Sequence, residues 1–334
     1  MPLTPPTPTL LLTPAPFIET NQALFTPPSP PPSPRVSLDD VLKEFDIPDG
    51  AAADTLAFIS RRLRESKLNA GSKSKHLMRM ERFRDWLAAP PRDSDLIMVD
   101  GHCGGTVAAD RVSPMSAICA ALVEELQRAD EDTSPARPAV VVLHHFCSQH
   151  RRDRDLLRGP AGLIRNLIQQ LLQQLLQQSP WQVGLGFVDG ELLRGIGEHD
   201  IHSLCRLFCN VTIRLDPSQP VFCVIDGISE IETVLDGWQE DTCSIIEMLR
   251  GLVGDTSRAG PALRVLLTSS GRSTVLAETV VPSDGHVSLL AARSPARQSS
   301  LLPFQREVDE LLMVGYLEVQ LEGTDMGTET LHAD

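Results

Sequence analysis

The strongest chemical signal in the sequence is a pair of acidic residues that follows an apolar run. Positions 221–230 read Val-Phe-Cys-Val-Ile-Asp-Gly-Ile-Ser-Glu, so that Asp226 ends the run and Glu230 follows shortly after it. An aspartate at the end of a buried strand can hold Mg²⁺ beside the phosphates of a nucleotide, and a nearby acid can polarise the attacking water. If the chain is active, we predict that Asp226 binds magnesium and that Asp226 and Glu230 are the catalytic residues.

An earlier loop has glycines of the kind that a phosphate-binding turn needs, but it has no lysine. Positions 100–110 read Asp-Gly-His-Cys-Gly-Gly-Thr-Val-Ala-Ala-Asp, directly after another apolar run. A complete turn of the form GxxxxGK[ST] holds phosphate with backbone amides and a lysine, and its hydroxyl binds Mg²⁺. Counting from Gly101 puts Val107 at the lysine position and Ala108 at the hydroxyl position, and no lysine occurs from residue 76 to residue 334. The turn is therefore degenerate, and efficient hydrolysis is not expected.

The glycines of this loop still offer backbone amides to an anion. Together with one hydroxyl and one later arginine they form the candidate nucleotide-binding set, which is Gly101, Gly104, Gly105, Thr106 and Arg272. The carboxylates of Asp100 and Asp110 flank the loop and oppose phosphate binding by charge repulsion. The sequence is therefore compatible with weak binding of Mg-ATP or Mg-GTP, and it indicates no other cofactor.

These motifs need a scaffold of buried strands whose carboxyl ends lie together. Apolar runs separated by helical segments predict strands at 96–99, 139–146, 221–225, 263–267 and 286–290. Strands that are apolar throughout and alternate with helices are typical of a parallel sheet covered on both faces. We therefore predict an α/β fold, in which ligands bind beyond the carboxyl ends of the strands.

Four segments, in order along the chain, resemble the NACHT-type STAND nucleoside triphosphatases. The run Asp226-Gly-Ile-Ser-Glu230 is similar to their Asp-Gly-Leu-Asp-Glu signature, and 264–272 resembles their sensor strand. Segment 142–150 is similar to their second strand, and 159–168 resembles the leucine-rich helix that follows it. The ensemble resembles fungal members that carry a nephrocystin-like N-terminal NACHT module.

This resemblance implies a P-loop NTPase-like parallel sheet covered by helices. It makes Asp226 and Glu230 the Walker B acids and the loop after the first strand a degenerate Walker A motif. Two positions depart from the family pattern: Ser229 replaces the first acid of the family pair, and Arg272 lies two positions beyond the usual arginine.

Composition divides the chain into four segments. A proline-rich tail, with twelve prolines in residues 1–34, is expected to be disordered. Helical periodicity follows, with a capping box at Ser37 and Asp40 and further helices near 52–67 and 73–87. The predicted boundaries are 1–35 for the tail, 36–90 for the helical region, 92–292 for the NACHT-like domain, and 293–334 for a C-terminal extension that is partly helical and then acidic.

Composition also limits the partners. The chain has 334 residues, of which 42 % are hydrophobic, and a net charge of −14, which argues against a nucleic-acid partner. Seven cysteines, an odd number, indicate reduced thiols and a cytoplasmic location, and a nuclear one also fits. No apolar run reaches the length of about 18 residues that a membrane span needs, so no membrane partner is predicted.

Two other chemistries compete with nucleotide binding. Histidines and cysteines are concentrated at 144–150 and at 199–209, as they are in some metal sites. A Cys–His hydrolase that uses Cys103 or Cys147 is also conceivable on residue type. No Cys-x-x-Cys pair supports a structural zinc site, and buried thiols with strand-end histidines explain the pattern more simply.

The leading functional prediction is a NACHT-like module that is not an active enzyme. It would act as an intracellular interaction or regulatory protein with weak nucleotide binding at most. The alternative is a divergent Mg-dependent ATPase or GTPase that uses Asp226 and Glu230, and a third interpretation is a fragment or decaying paralogue without activity. Protein partners are expected, and six Ser/Thr-Pro steps in residues 1–34 suit a proline-directed kinase or an SH3- or WW-type domain.

Overall fold

The computed structural model describes most of the chain between residues 36 and 325. The described ranges are 36–65, 70–103, 112–131, 140–178, 185–255, 257, 260–273, 275–276, 283–290 and 300–325. The helices are α1 (Leu38–Phe45), α2 (Ala51–Glu65), α3 (Ala70–Leu77), α4 (Glu81–Ala88), α5 (Pro114–Glu131), α6 (Gly159–Gln178), α7 (Gly190–Gly197), α8 (Ile201–Thr212), α9 (Trp238–Gly254) and α10 (Leu302–Asp325). The strands are β1 (Asp95–Asp100), β2 (Val141–Phe146), β3 (Val221–Asp226), β4 (Leu263–Ser269) and β5 (His286–Ser288). The proline-rich tail lies outside these ranges, so its disorder stays a prediction.

The strands form a single parallel sheet in the order β2-β3-β4-β1-β5. In its register Asp226 lies opposite Thr268 of β4, and Asp100 of β1 lies opposite the next residue, Ser269. The three strands β2, β3 and β4 are buried along their whole length, as their continuous apolar character requires. The prediction of an α/β fold with a parallel sheet is confirmed.

Apolar side chains from alternate strand positions form two cores, one on each face of the sheet. Met98 packs in a core with α6, α8 and α9, whereas its neighbours Ile97 and Val99 pack in the other core with α5 and α10. This alternation follows from the two-residue period of a strand. The crossover from β1 therefore lies on the opposite face from the crossover that leaves β3.

The helical region before β1 is part of the same compact unit, which spans 36–334. Helix α1 packs on α6 and α7, helices α2 and α3 pack on α5, and α4 packs on β1 and α10. The capping box at Ser37 and Asp40 is confirmed by reciprocal hydrogen bonds.

The prediction of one continuous helix over 73–87 is wrong. The chain leaves the helical conformation at Met80, which has φ −76° and ψ 114° and precedes α4. The break separates α3 from α4 and allows residues of both helices, Leu77 and Trp86 among them, to be buried in the same core.

The C-terminal extension contributes α10, whose buried residues Phe304, Val308 and Leu312 cover α4 and α5. No helix in the described part of the chain has the length and apolar character needed to cross a membrane.

A buried arginine connects β4 to the end of α4. Arg264 is 2 % exposed, and its guanidinium donates hydrogen bonds to the carbonyl oxygens of Leu87, Ala89 and Pro90. It also lies 5.1 Å above the ring of Phe222. The last carbonyls of a helix have no intrahelical partner, so Arg264 satisfies groups that would otherwise be buried without one.

We expect Arg264→Met to lower the free energy of unfolding by about 3 kcal/mol, because it leaves buried carbonyls without a donor. Urea unfolding of the full chain measures this loss. Arg84→Met on exposed α4 surface is the control and should change stability by less than about 0.5 kcal/mol. Equal effects of the two substitutions would show that Arg264 does not have this anchoring role.

Candidate functional site

The carboxyl ends of β1, β4 and β3 lie side by side and define the candidate site. The helix that follows β1 packs on one face of the sheet and the helix that follows β3 packs on the other. This reversal of the crossovers is the position at which open α/β sheets open a crevice for ligands. The residues at the three strand ends are Asp100, Ser269 and Asp226.

Asp226 lies at the centre of these strand ends and is 1 % exposed. Ser116 donates a hydrogen bond to its Oδ2 at 2.6 Å, and Thr268 donates to its Oδ1 at 2.6 Å. The Cys119 thiol lies 3.8 Å from Oδ1. Both carboxylate oxygens are therefore occupied by donors from the protein itself.

Burial raises the pKa of Asp226 above its ordinary value of 3.8. The hydrogen bonds from Ser116, Thr268 and Cys119 act in the opposite direction, since they favour the charged form, and the negative charge of Glu230 raises the pKa further. The direction of the shift shows that desolvation outweighs the three donors.

The hydroxyl beside Asp226 comes from the first turn of α5. Ser113 precedes this helix, and its Oγ accepts a hydrogen bond of 3.0 Å from the backbone N–H of Ser116, as a capping residue does. In P-loop proteins the serine or threonine after the lysine and the Walker B aspartate together hold Mg²⁺. Ser116 stands in that relation to Asp226, although counting along the sequence from Gly101 placed the hydroxyl position at Ala108.

The residue immediately before Ser116 is apolar. Met115 is 1 % exposed, and its side chain covers Gly101 so closely that a Cβ placed on Gly101 would clash with Cγ of Met115. A phosphate-binding turn has its lysine at the position that Met115 occupies. The first turn of α5 therefore presents a packed thioether where an ammonium would be needed.

The backbone amides directly after β1 are already hydrogen bonded. The N–H of Gly101 donates to the carbonyl oxygen of Ser269, the last residue of β4, at 2.8 Å. The N–H groups of His102 and Cys103 donate to the carbonyl oxygens of Gly271 and Ser270, just after β4, at 3.2 and 2.7 Å. His102 has a φ of +45°, which is uncommon for a residue other than glycine. These three N–H groups are therefore already used within the protein, by the end of β4 and the residues that follow it.

A lysine does reach this strand end, from an element that precedes β1. Nζ of Lys73 in α3 donates to the carbonyl oxygen of Gly101 at 2.5 Å and to that of His102 at 3.4 Å. Sequence reasoning missed this residue because it searched for a lysine after the glycines. The scarcity of lysine, with Lys73 among only four in the chain, was the available signal.

Asp100, the other acid at the site, is paired within the protein. It is 1 % exposed, accepts a hydrogen bond from the backbone N–H of Ser273 at 3.0 Å, and contacts Nε2 of His286 at 2.9 Å. Its carboxylate therefore ties β1 to β5 and to the chain after β4.

Glu230 lies in a short 3₁₀ turn after β3 and forms an ion pair with Arg151. The distance from Oε2 of Glu230 to Nη1 of Arg151 is 2.8 Å, and the arginine side chain is 50 % exposed. The neighbouring Ser229 accepts a hydrogen bond from Ser269, which joins the ends of β3 and β4. Glu230 is thus brought to the same edge of the sheet as Asp226, as the sequence suggested.

The predicted nucleotide-binding residues are only partly within the described chain. Gly101 lies at the end of β1 against Met115, and Arg272 is exposed on the segment after β4. Gly104, Gly105 and Thr106 lie outside the described residues. Their assignments stay predictions.

The histidines of β2 are used in separate hydrogen bonds. Nδ1 of His145 lies 2.9 Å from the Asn166 amide, and Nε2 of His144 lies 3.2 Å from the Ala52 carbonyl oxygen. His150 pairs with Asp155 at 3.0 Å. Within the ranges the structure describes, no group of three or more histidines, cysteines or acids could hold a metal ion.

The thiols are also poorly suited to nucleophilic chemistry. Burial raises the pKa of Cys103, and burial together with the charges of Asp226 and Glu230 raises the pKa of Cys147 well above its ordinary value. A cysteine nucleophile needs the opposite shift, because the thiolate is the reactive form.

Fold and site together define an α/β domain with a P-loop-like arrangement of strand ends. Residues 73–270 match the nephrocystin-3 N-terminal domain family, and the chain belongs to this family. No curated protein and no solved structure shows a match to the chain. The family match begins in α3 and ends just beyond β4, so it contains Lys73, Ser116 and Asp226.

We expect Asp226→Asn to lower the free energy of unfolding by about 1–3 kcal/mol near neutral pH, because one buried acceptor is lost. The difference in the free energy of unfolding between the wild-type protein and the variant should shrink as the pH rises above 3.8. The native carboxyl keeps its proton to a higher pH than the unfolded one, so the wild-type protein loses stability through that window and the variant does not. Urea unfolding at a series of pH values measures both effects.

The control is Glu230→Gln, which removes a partly exposed acid at the same edge and should change stability by less than about 1 kcal/mol. A stability difference for Asp226→Asn that grows with pH would contradict the assigned direction of the pKa shift.

A second pH effect is expected from His144, whose pKa is lowered by burial from 6.5 to about 4. The unfolded chain takes up this proton first as the pH falls, so the stabilising effect of the neutral native ring is complete above 6.5 and is lost towards 4. The free energy of unfolding should fall by about 2 kcal/mol between about pH 7 and about pH 5 from this group alone.

His144→Gln should remove this part of the pH dependence, as measured by urea unfolding at both pH values. His202→Gln is the control, because His202 is exposed on α8. In this variant the free energy of unfolding should change with pH as it does in the wild-type protein. An unchanged slope in His144→Gln would mean that His144 is not the group responsible.

Proposed function

We propose that this protein is a degenerate NACHT-like module of the STAND type, similar to fungal members, in which the P-loop fold is kept and the catalytic turn is lost. It acts in the cytoplasm as an interaction or regulatory protein and binds nucleotide weakly at most. The observation that carries the proposal is the state of Asp226, whose two carboxylate oxygens are saturated by Ser116, Thr268 and Cys119.

Magnesium would have to displace these donors. A hydrogen bond to a charged group contributes about 1.5–3 kcal/mol, so losing two of them opposes metal binding. Met115 adds a second obstacle, because the residue directly before Ser116 is a buried apolar side chain without a charge to neutralise a phosphate. Both features oppose efficient turnover and limit nucleotide binding to a weak interaction.

The surface of the helical region supports a protein-interaction role. Basic side chains are exposed along this region. Arg61 and Arg64 lie on α2, Lys75 on α3, Arg79 between α3 and α4, and Arg84 on α4. In a chain of net charge −14 this concentration of positive charge suits an acidic protein surface. The proline-rich residues 1–34 add a second contact, for a proline-directed kinase or an SH3- or WW-type domain. Neither a nucleic acid nor a membrane is proposed as a partner.

A divergent Mg-dependent ATPase or GTPase is the second candidate. It is favoured by the retained pairing of a helix-α5 hydroxyl with the strand-end aspartate, because this is the pair that holds Mg²⁺ in active P-loop enzymes. Glu230, which lies at the same edge, would then orient the attacking water.

Hydrolysis of Mg-ATP and Mg-GTP by the full chain separates the two candidates. We expect the phosphate release of the wild-type protein to equal that of Asp226→Asn, because neither would hold a catalytic metal. Mg-dependent release that disappears in Asp226→Asn and falls in Glu230→Gln would instead establish the enzyme. Circular dichroism of each variant checks that any loss does not reflect unfolding.

A further inference from the structure

Lys73 is a cation from the helical region that lies at the end of β1, one of the strand ends of the candidate site. It belongs to α3, and its ammonium donates to the carbonyl oxygens of Gly101 and His102, the first two residues after β1. The side chain is half-buried. Lys73 precedes Gly101 by 28 positions and His102 by 29, and the two hydrogen bonds bring it to the strand end where the predicted phosphate-binding turn begins.

The charge of Lys73 has no acidic partner in the described part of the chain. Two backbone carbonyls satisfy two of its N–H groups, and carbonyl oxygens do not neutralise a full positive charge. Taking a charge out of water is unfavourable unless an opposite charge compensates for it. An anion in contact with this half-buried ammonium would supply the missing opposite charge.

The hydrogen bonds of Lys73 put the position for such an anion beside the end of β1. Burial raises the pKa of the Cys103 thiol and the charge of Lys73 lowers it, so the ammonium acts on the residue that follows His102. The carbonyls that hold Lys73 belong to the turn whose amides are bound to the chain after β4. Residues 101–103 are therefore held by the end of β4 and the residues after it, and they hold the ammonium at the end of β1.

We propose that Lys73 is the cation that binds the phosphate chain of a nucleotide in this protein, in place of the lysine that α5 lacks. The inference rests on the weak nucleotide binding proposed above and assigns its phosphate-binding residue. The ligand class is a polyphosphate chain, either of a Mg-nucleotide or free. Because Lys73 belongs to α3, bound phosphate would also stabilise the packing of α3 and thereby connect the site to the helical region.

A purely structural role for Lys73 predicts different behaviour. If the ammonium served only to cap the two carbonyls, its removal would lower stability and would leave ligand affinity unchanged. The test therefore needs a binding measurement in addition to a stability measurement, and variants that separate charge from packing.

Isothermal titration of the full chain with Mg-ATP, Mg-GTP and tripolyphosphate provides the measurement. We expect Lys73→Met, which keeps most of the aliphatic stem, to weaken binding by at least about tenfold, and Lys73→Arg to keep part of the affinity. The matched control is Lys75→Met on the same helix, whose exposed side chain should be replaceable with less than about a twofold change. Hydrogen exchange of the α3 amides should slow on ligand addition in the wild-type protein and not in Lys73→Met.

The outcomes are distinct. Wild-type binding that Lys73→Met retains in full overturns the assignment of Lys73 and leaves the proposed nucleotide binding in place. Absence of wild-type binding to all three ligands overturns both. Binding of tripolyphosphate with the same affinity as Mg-ATP supports the assignment and shows that the site recognises phosphate alone. Unfolding curves without ligand show whether Lys73→Met is folded. If it is not, the ligand affinity of Lys73→Arg tests the assignment in its place.

Discussion

The buried carboxylate of Asp226 is the point on which the candidate site depends. It ends β3, accepts a hydrogen bond from Ser116 in α5, and accepts another from Thr268 in β4. Three elements that come from distant parts of the chain are therefore joined by one side chain that is almost fully removed from water. A buried charge needs such partners, and here Ser116 and Thr268 supply a donor to each of its two oxygens.

The fold and the chemistry of this protein have separate requirements. The parallel sheet needs apolar residues at strand positions and helices on both faces, and many residues can meet that need. Phosphate transfer needs a few specific groups at fixed positions. Met115 satisfies the packing of the first turn of α5, and its thioether carries no charge that could pair with a phosphate.

The helical region before the sheet is a structural part of the domain. Arg264 of β4 binds the carbonyls at the end of α4, and Lys73 of α3 binds the carbonyls after β1. In both cases a cation from one part of the chain satisfies backbone groups of another. The backbone after β1 is therefore held by a helix that precedes the sheet.

The sequence by itself determined the parallel α/β fold, the capping box at Ser37, and the position of Asp226 at a strand end, because hydrophobic periodicity and local capping depend on near neighbours in the chain. It misjudged the segment 73–87 as one helix, because the break at Met80 serves the burial of side chains against a distant core. Only the tertiary structure decided that Ser116 is the hydroxyl beside Asp226 and that Lys73 reaches the end of β1. Such pairings are made by the packing of helices on the sheet, and no spacing rule along the chain encodes them.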